Sequence, residues 1–155
     1  MSDTDIHDQT ATEQVITRSV NINAPISQIW KALTEPELMK KWMSAAVTGI
    51  IADWQPGGDI IIYGLLHGMH FQNTGKVLTY KPERAFSYSH LNSLSMLEDV
   101  AENYSVISFD LAPADGGTSL TVTIHGFPTE SIYKHLAFYW TVTIALLKKF
   151  IETEM

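Results

Sequence analysis

From Tyr133 to Ile151, apolar and aromatic residues recur every three to four positions: Tyr133, Leu136, Trp140, Ile144, Leu147 and Ile151. Upstream, they recur instead at every second position through a series of short segments. The first period is that of a helix with one covered face, the second that of strands with one buried side. The pattern predicts a long helix over Thr129 to Met155, roughly 37 Å from end to end at about 1.5 Å per residue. Such a helix needs a sheet to cover it.

Val15 to Ile22 alternates, with Ile16, Val20 and Ile22 on one side, and reads as a strand. Asn23-Ala24-Pro25 stops it, and Ser27 is the expected cap of a short helix whose Ile26, Ile29, Trp30 and Leu33 share a face. Thr34-Glu35-Pro36 restarts the chain into a second short helix carrying Leu38, Met39, Trp42 and Met43. Strands follow near Val47 to Asp53 and Asp59 to Leu66, separated by Pro56-Gly57-Gly58. His67-Gly68 turns the chain into a strand from His70 to Tyr80, and Lys81 to Arg84 turns it again into Ala85 to Leu91. Asn92 to Glu102 is polar and reads as a loop. Asn103 to Ala112 alternates through Ser105, Ile107, Phe109 and Leu111, Pro113 to Gly117 turns, and Thr118 to His125 alternates through Leu120, Val122 and Ile124. Strands this closely spaced, with no helices between them, form a mainly antiparallel sheet. A curved sheet around one long helix leaves a hollow between them, so an internal pocket is the first functional expectation.

Composition narrows the classes. The chain has 155 residues, 45% hydrophobic, which suits one globular domain over 14–155 behind a polar, acidic tail at 1–13 that reads as disordered. Ten Lys plus Arg against seventeen Asp plus Glu give a formal net charge of −7, which speaks against a nucleic-acid partner and against docking on an anionic membrane. Without cysteine there is no disulfide, thiolate metal site or Cys nucleophile. The opening residues lack the basic and apolar regions of an export signal, and Ala137 to Leu147 is too short for a membrane span. The expectation is a cytoplasmic protein.

Five segments taken together resemble the SRPBCC (START-like, helix-grip) superfamily. Within it, the chain is similar to the branch related to the C-terminal domain of the activator of heat-shock-protein-ninety ATPase. The segments are ITRSVNINAPISQIWKALTEPELMKKWM (16–43), WQPGGD (54–59), GKVLTYKPERAFSYSH (75–90), GGTSLTVTIHGFP (116–128) and the terminal helix. The resemblance implies an α+β helix-grip fold, a curved sheet wrapped around the C-terminal helix with two short helices after the first strand. Gly75 inside a strand suggests a bulge or a close backbone approach that helps the sheet curl. Relatives often carry Gly-Trp in the final helix; here Tyr139 precedes Trp140, which implies altered packing and a narrower pocket. The superfamily includes ligand carriers, cyclases and hydrolases, so the fold does not settle the function.

Among candidate chemical groups, His67 and His70 are separated by three and point to opposite faces of an extended strand, so joint metal ligation would need a turn. No metal and no cofactor are expected. His90 shares parity with Phe86 and Tyr88, and all three face the helix in this reading. Its imidazole can orient a ligand group, act as acid or base, or be a core histidine satisfied by a backbone carbonyl. His125 has the opposite parity to Leu120, Val122 and Ile124 and belongs to a turn or the outer face. Trp30 and Phe109 read as plain core. Tyr88, Tyr133 and Trp140 fit either core or site, since each has a polar atom at the tip of an apolar body. Glu98, Asp99 and Glu102 read as a solvated charge patch, with a lid over the pocket mouth as the other reading.

Three function classes follow. The leading one is a domain that binds a small, mainly hydrophobic or aromatic molecule through Trp42, Tyr63, Phe86, Tyr88, His90, Tyr133 and Trp140. It calls for a cavity on the scale of about 300–1,000 Å³. The second is a cyclase- or hydrolase-like enzyme using His90 and Tyr88 for proton transfer, against which stands the lack of a carboxylate partner for His90. The third, implied by the family name, is a chaperone ATPase accessory, although the chain is short for the additional N-terminal domain of the full-length eukaryotic activator. A homodimer through a sheet edge or the terminal helix is a further partner expectation.

Overall fold

The computed structural model describes residues 13–155, so the expected tail lies outside the described residues except for Glu13. Seven strands form one antiparallel sheet in the order β1-β7-β6-β5-β4-β3-β2. They are β1 (Val15–Ile22), β2 (Val47–Ala52), β3 (Asp59–Leu66), β4 (Met69–Lys81), β5 (Ala85–Asn92), β6 (Ser105–Ala114) and β7 (Gly117–His125). Two short helices, α1 (Ile26–Thr34) and α2 (Pro36–Trp42), follow β1, and the 25-residue α3 (Glu130–Glu154) ends the chain. This is the helix-grip arrangement the sequence predicts.

The boundaries follow from local chemistry. Pro25, at φ −71°, already sits at the N-cap of α1, and its carbonyl accepts from the Gln28 and Ile29 amides. The helix therefore begins before Ser27, and Ser27 does not cap it as expected. Thr129 does cap α3, its hydroxyl accepting from the Ile132 amide at 3.1 Å. His67 and Gly68, both at positive φ, make the two-residue turn between β3 and β4. β6 runs through Pro113, where the sequence predicts a turn. It does so because β5 pairs with β6 only as far as Asp110, so no β5 acceptor waits for the amide hydrogen that proline lacks. The polar stretch after β5 contains two 3-10 turns, Ser93–Ser95 and Ala101–Asn103.

The inner face of the sheet carries Ile60, Ile62, Phe86, Tyr88, Ile107, Phe109, Leu120, Val122 and Ile124, all buried against α3 and the short helices. From α3 come Leu136, Trp140, Ile144, Leu147 and Ile151, the stripe seen in the sequence. Polar contacts fix α3 along β1: Arg18 Nε donates to Thr141 Oγ1 at 3.0 Å, and Glu152 Oε2 accepts from the Asn23 amide at 2.7 Å. Gly75 meets the expectation of close approach. A Cβ there would lie 1.6 Å from the Ser89 carbonyl oxygen, so β4 and β5 come together as tightly as they do only because position 75 has no side chain.

Candidate functional site

Alternation along β5 turns Phe86, Tyr88 and His90 toward α3, as their shared parity predicts. Phe86 stacks on Phe109 of β6, with ring centroids 4.6 Å apart, and Tyr88 lies parallel to Phe109 at 6.2 Å. Phe109 meets the edge of Trp140 at 5.5 Å, and Trp140 in turn faces Trp42 of α2 at 6.5 Å. On the other side Phe86 packs against Trp54 at 4.8 Å and Trp30 at 5.5 Å. One continuous array of rings therefore crosses the interior from the β2–β3 connection to α2.

These rings fill the space where the sequence predicts a cavity. The crevice that remains beside Ile60, Ile62, Asn73, Tyr88 and His90 is too narrow to admit a water molecule. The cavity expectation is corrected: aromatic side chains from the sheet, α2 and α3 meet in mid-core, and Tyr139 adds a further ring 5.4 Å from Trp140.

Tyr63 requires a second correction. It pairs with Gly49 across β3 and β2, on the opposite side of the sheet from the Ile50–Ile62 pair, and is 40% exposed. A Cβ at Gly49 would lie 2.2 Å from Tyr63 Cζ, so the ring lies flat over the glycine on the outer face. Tyr63 is not part of the inner group. Tyr133 is half-buried at the start of α3, edge-on to Phe127 at 5.1 Å. Trp42, Phe86, Tyr88 and Trp140 are brought together, with His90 one strand step beyond Tyr88.

The polar atoms of this group are unevenly satisfied. Trp42 Nε1 donates to the Ala32 carbonyl at 2.8 Å, and Trp54 Nε1 to that of Thr34 at 2.7 Å. Trp140, 2% exposed, has a buried Nε1 with no acceptor. Burial pushes the Tyr88 phenol well above its ordinary range, and nearby Tyr139 adds to the effect, so the phenol stays protonated. Burial first, and then the nearby His135 of α3, lower the His90 imidazole to about 4, so the ring is neutral at pH 7. The Tyr139 phenol is raised chiefly by burial, while contacts with the Thr143 hydroxyl and the Ser44 backbone oppose the shift. Phe109, plain core by its alternation along β6, stands at the centre of this group, and His135 joins it from α3. Phe109 had the parity to show its place; His135 lies outside the apolar stripe and gave no signal.

His67 in the β3–β4 turn and His70 at the start of β4 are exposed, and His125 is exposed at the end of β7. No group of three or more metal-ligating side chains occurs among the described residues. No helix among them is long and apolar enough to cross a membrane.

The sequence profile of the Activator of Hsp90 ATPase homolog 1-like protein family matches residues 23–152. The chain belongs to that family. The same fold is seen in a solution structure from Cytophaga hutchinsonii, 30% identical, with a TM-score of 0.76 over 92% of this chain and 97% of that one. A crystal structure from Nitrosomonas europaea is 24% identical, with a TM-score of 0.74 over 91% and 96% of the two chains. DynU16, from the dynemicin biosynthetic locus, shares the fold at 17% identity and a TM-score of 0.72, over 91% of this chain and 48% of its own. No curated protein matches the chain. The family assignment agrees with the SRPBCC resemblance and with the helix-grip topology.

Proposed function

We propose that this family member binds a small, mainly apolar or aromatic molecule between the sheet and α3, at the end marked by Trp42, Tyr88, His90 and Trp140. The observation that carries this reading is the buried Trp140 Nε1, a donor with no acceptor. Buried donors are paired in the great majority of cases, and an unpaired one costs about 1–3 kcal/mol. A ligand carbonyl or ether oxygen satisfies it. The surrounding rings offer flat apolar surface, and a protonated Tyr88 with a neutral His90 adds hydrogen-bonding capacity without charge.

Because rings fill the interior, binding requires Tyr139 and Trp140 to turn away from each other and admit the ligand. A neutral imidazole with no carboxylate beside it suits orientation of a ligand better than proton transfer, so binding is favoured over the acid–base reading. The test is to follow the indole N–H resonances by NMR during titration with aromatic ketones, flavone first. The Trp140 signal, assigned from Trp140→Phe, should move downfield and saturate with the ligand. A Trp140 signal that stays in place across the whole series overturns the proposal.

A further inference from the structure

A concavity lies on the opposite side of the sheet from α3. It is a groove of about 550 Å³ between the outer face of β3–β6 and the segment that joins β5 to β6. Its size falls within the range of small-molecule sites. Parity explains its floor: Ile61, Leu78 and Val106 project outward where Ile60, Val77 and Ile107 project into the core.

The rim is polar and internally paired. Lys76 Nζ forms an ion pair with Asp59 Oδ1. Tyr104 donates its hydroxyl to Asp99 Oδ1 at 2.5 Å. Each of these contacts uses one oxygen of its carboxylate, and the second oxygens of Asp59 and Asp99 remain open as acceptors. The charged side chains of the lining are Asp59, Asp99 and Lys76, so their sum is negative. Apolar floor, spare carboxylate oxygens and negative charge complement one ligand chemistry.

We propose that this outer groove is a binding site for a small organic cation, an amine whose hydrocarbon body lies on Ile61, Leu78 and Val106 while its ammonium donates to Asp99 and Asp59. The site is separate from the Trp140 region, with the sheet itself between them, and it stands whether or not the inner site binds a ligand.

Titration with 2-phenylethylamine, followed through backbone amide shifts, tests this. Saturable shifts are expected at Thr74, Gly75, Lys76 and Val106, with no change at the Trp140 indole. 2-Phenylethanol has the same body without the charge and should bind at least tenfold more weakly. The Asp59→Asn/Asp99→Asn double variant should lose a similar factor, and Ala101→Trp, which fills the groove from its exposed rim, should abolish the shifts; amide dispersion reports that each variant is folded. Equal affinity for amine and alcohol overturns the proposal. So do unchanged binding by the folded double variant and shifts confined to residues outside the groove.

Discussion

Trp42 and Trp140 face each other with ring centroids 6.5 Å apart and planes inclined at 52°, yet their indole N–H groups meet opposite fates. Trp42 donates to Ala32; Trp140 donates to nothing. Replacing either ring by Phe removes a similar volume and carries a similar packing cost. Only Trp42→Phe also breaks a hydrogen bond and leaves a buried carbonyl unpaired. It should therefore cost about 1–2 kcal/mol more than Trp140→Phe. Urea unfolding of the two variants checks this, and equal losses would mean that the Trp140 donor has a partner in solution.

His90 gives stability a pH dependence with a definite sign. Its imidazole is lowered to about 4 by burial and by His135, from an ordinary value of 6.5. Between these values the unfolded chain takes up a proton that the folded chain does not, so stability is lost as pH falls from about 6.5 toward 4. Above 6.5 the contribution is constant. The residue keeps some exposure, so the expected loss by pH 5 is about 1–2 kcal/mol. His90→Gln should flatten the denaturant midpoint between pH 7 and 5 by that amount; the same slope in both proteins would show that the loss arises elsewhere.

Particular residues show what the sequence could and could not reveal. β3 was legible to the residue, because Pro56-Gly57-Gly58 and His67-Gly68 enclose it. The face of Tyr63 was not, since it follows Ile60-Ile61-Ile62, a run with no alternation to set the parity. Its face is set by the register with Gly49, a contact between strands. The order of elements and the α3 stripe were readable because period and turn residues are local signals. Whether a hollow remains between sheet and helix depends on how the rings of Trp42, Phe109, Tyr139 and Trp140 meet, and no local pattern encodes that. The start of α1 was misplaced for a simpler reason: Pro25 can end β1 and open the helix at once, with no need of Ser27.

Two glycines should respond differently to the same methyl group. At Gly75 an added Cβ meets the Ser89 backbone at 1.6 Å, and β4 and β5 must separate to admit it. Gly75→Ala should cost on the order of 3 kcal/mol or more. At Gly49 the obstacle is the Tyr63 ring, 40% exposed and able to swing into solvent. Gly49→Ala should cost about 1–2 kcal/mol, and less again when Tyr63→Ala has already removed the ring. Thermal unfolding of the two single variants and the double variant measures both statements. A Gly49→Ala cost that is the same with and without the ring would contradict the face assigned to Tyr63.

The two candidate helix caps separate by a pair of serine and threonine truncations. Thr129 accepts from the Ile132 amide and satisfies one of the free donors at the start of α3, where Glu130 adds a carboxylate to the first turn. Thr129→Ala should therefore cost about 1 kcal/mol. Ser27 is exposed inside the first turn of α1, and the cap position is held by Pro25 without a side-chain bond. Ser27→Ala should change stability by less than about 0.5 kcal/mol. Hydrogen exchange refines the comparison: Thr129→Ala should speed exchange of the Ile132 amide, whereas Ser27→Ala should leave the α1 amides as they were. A Ser27→Ala loss as large as that of Thr129→Ala would restore Ser27 as the cap and move the start of α1 accordingly.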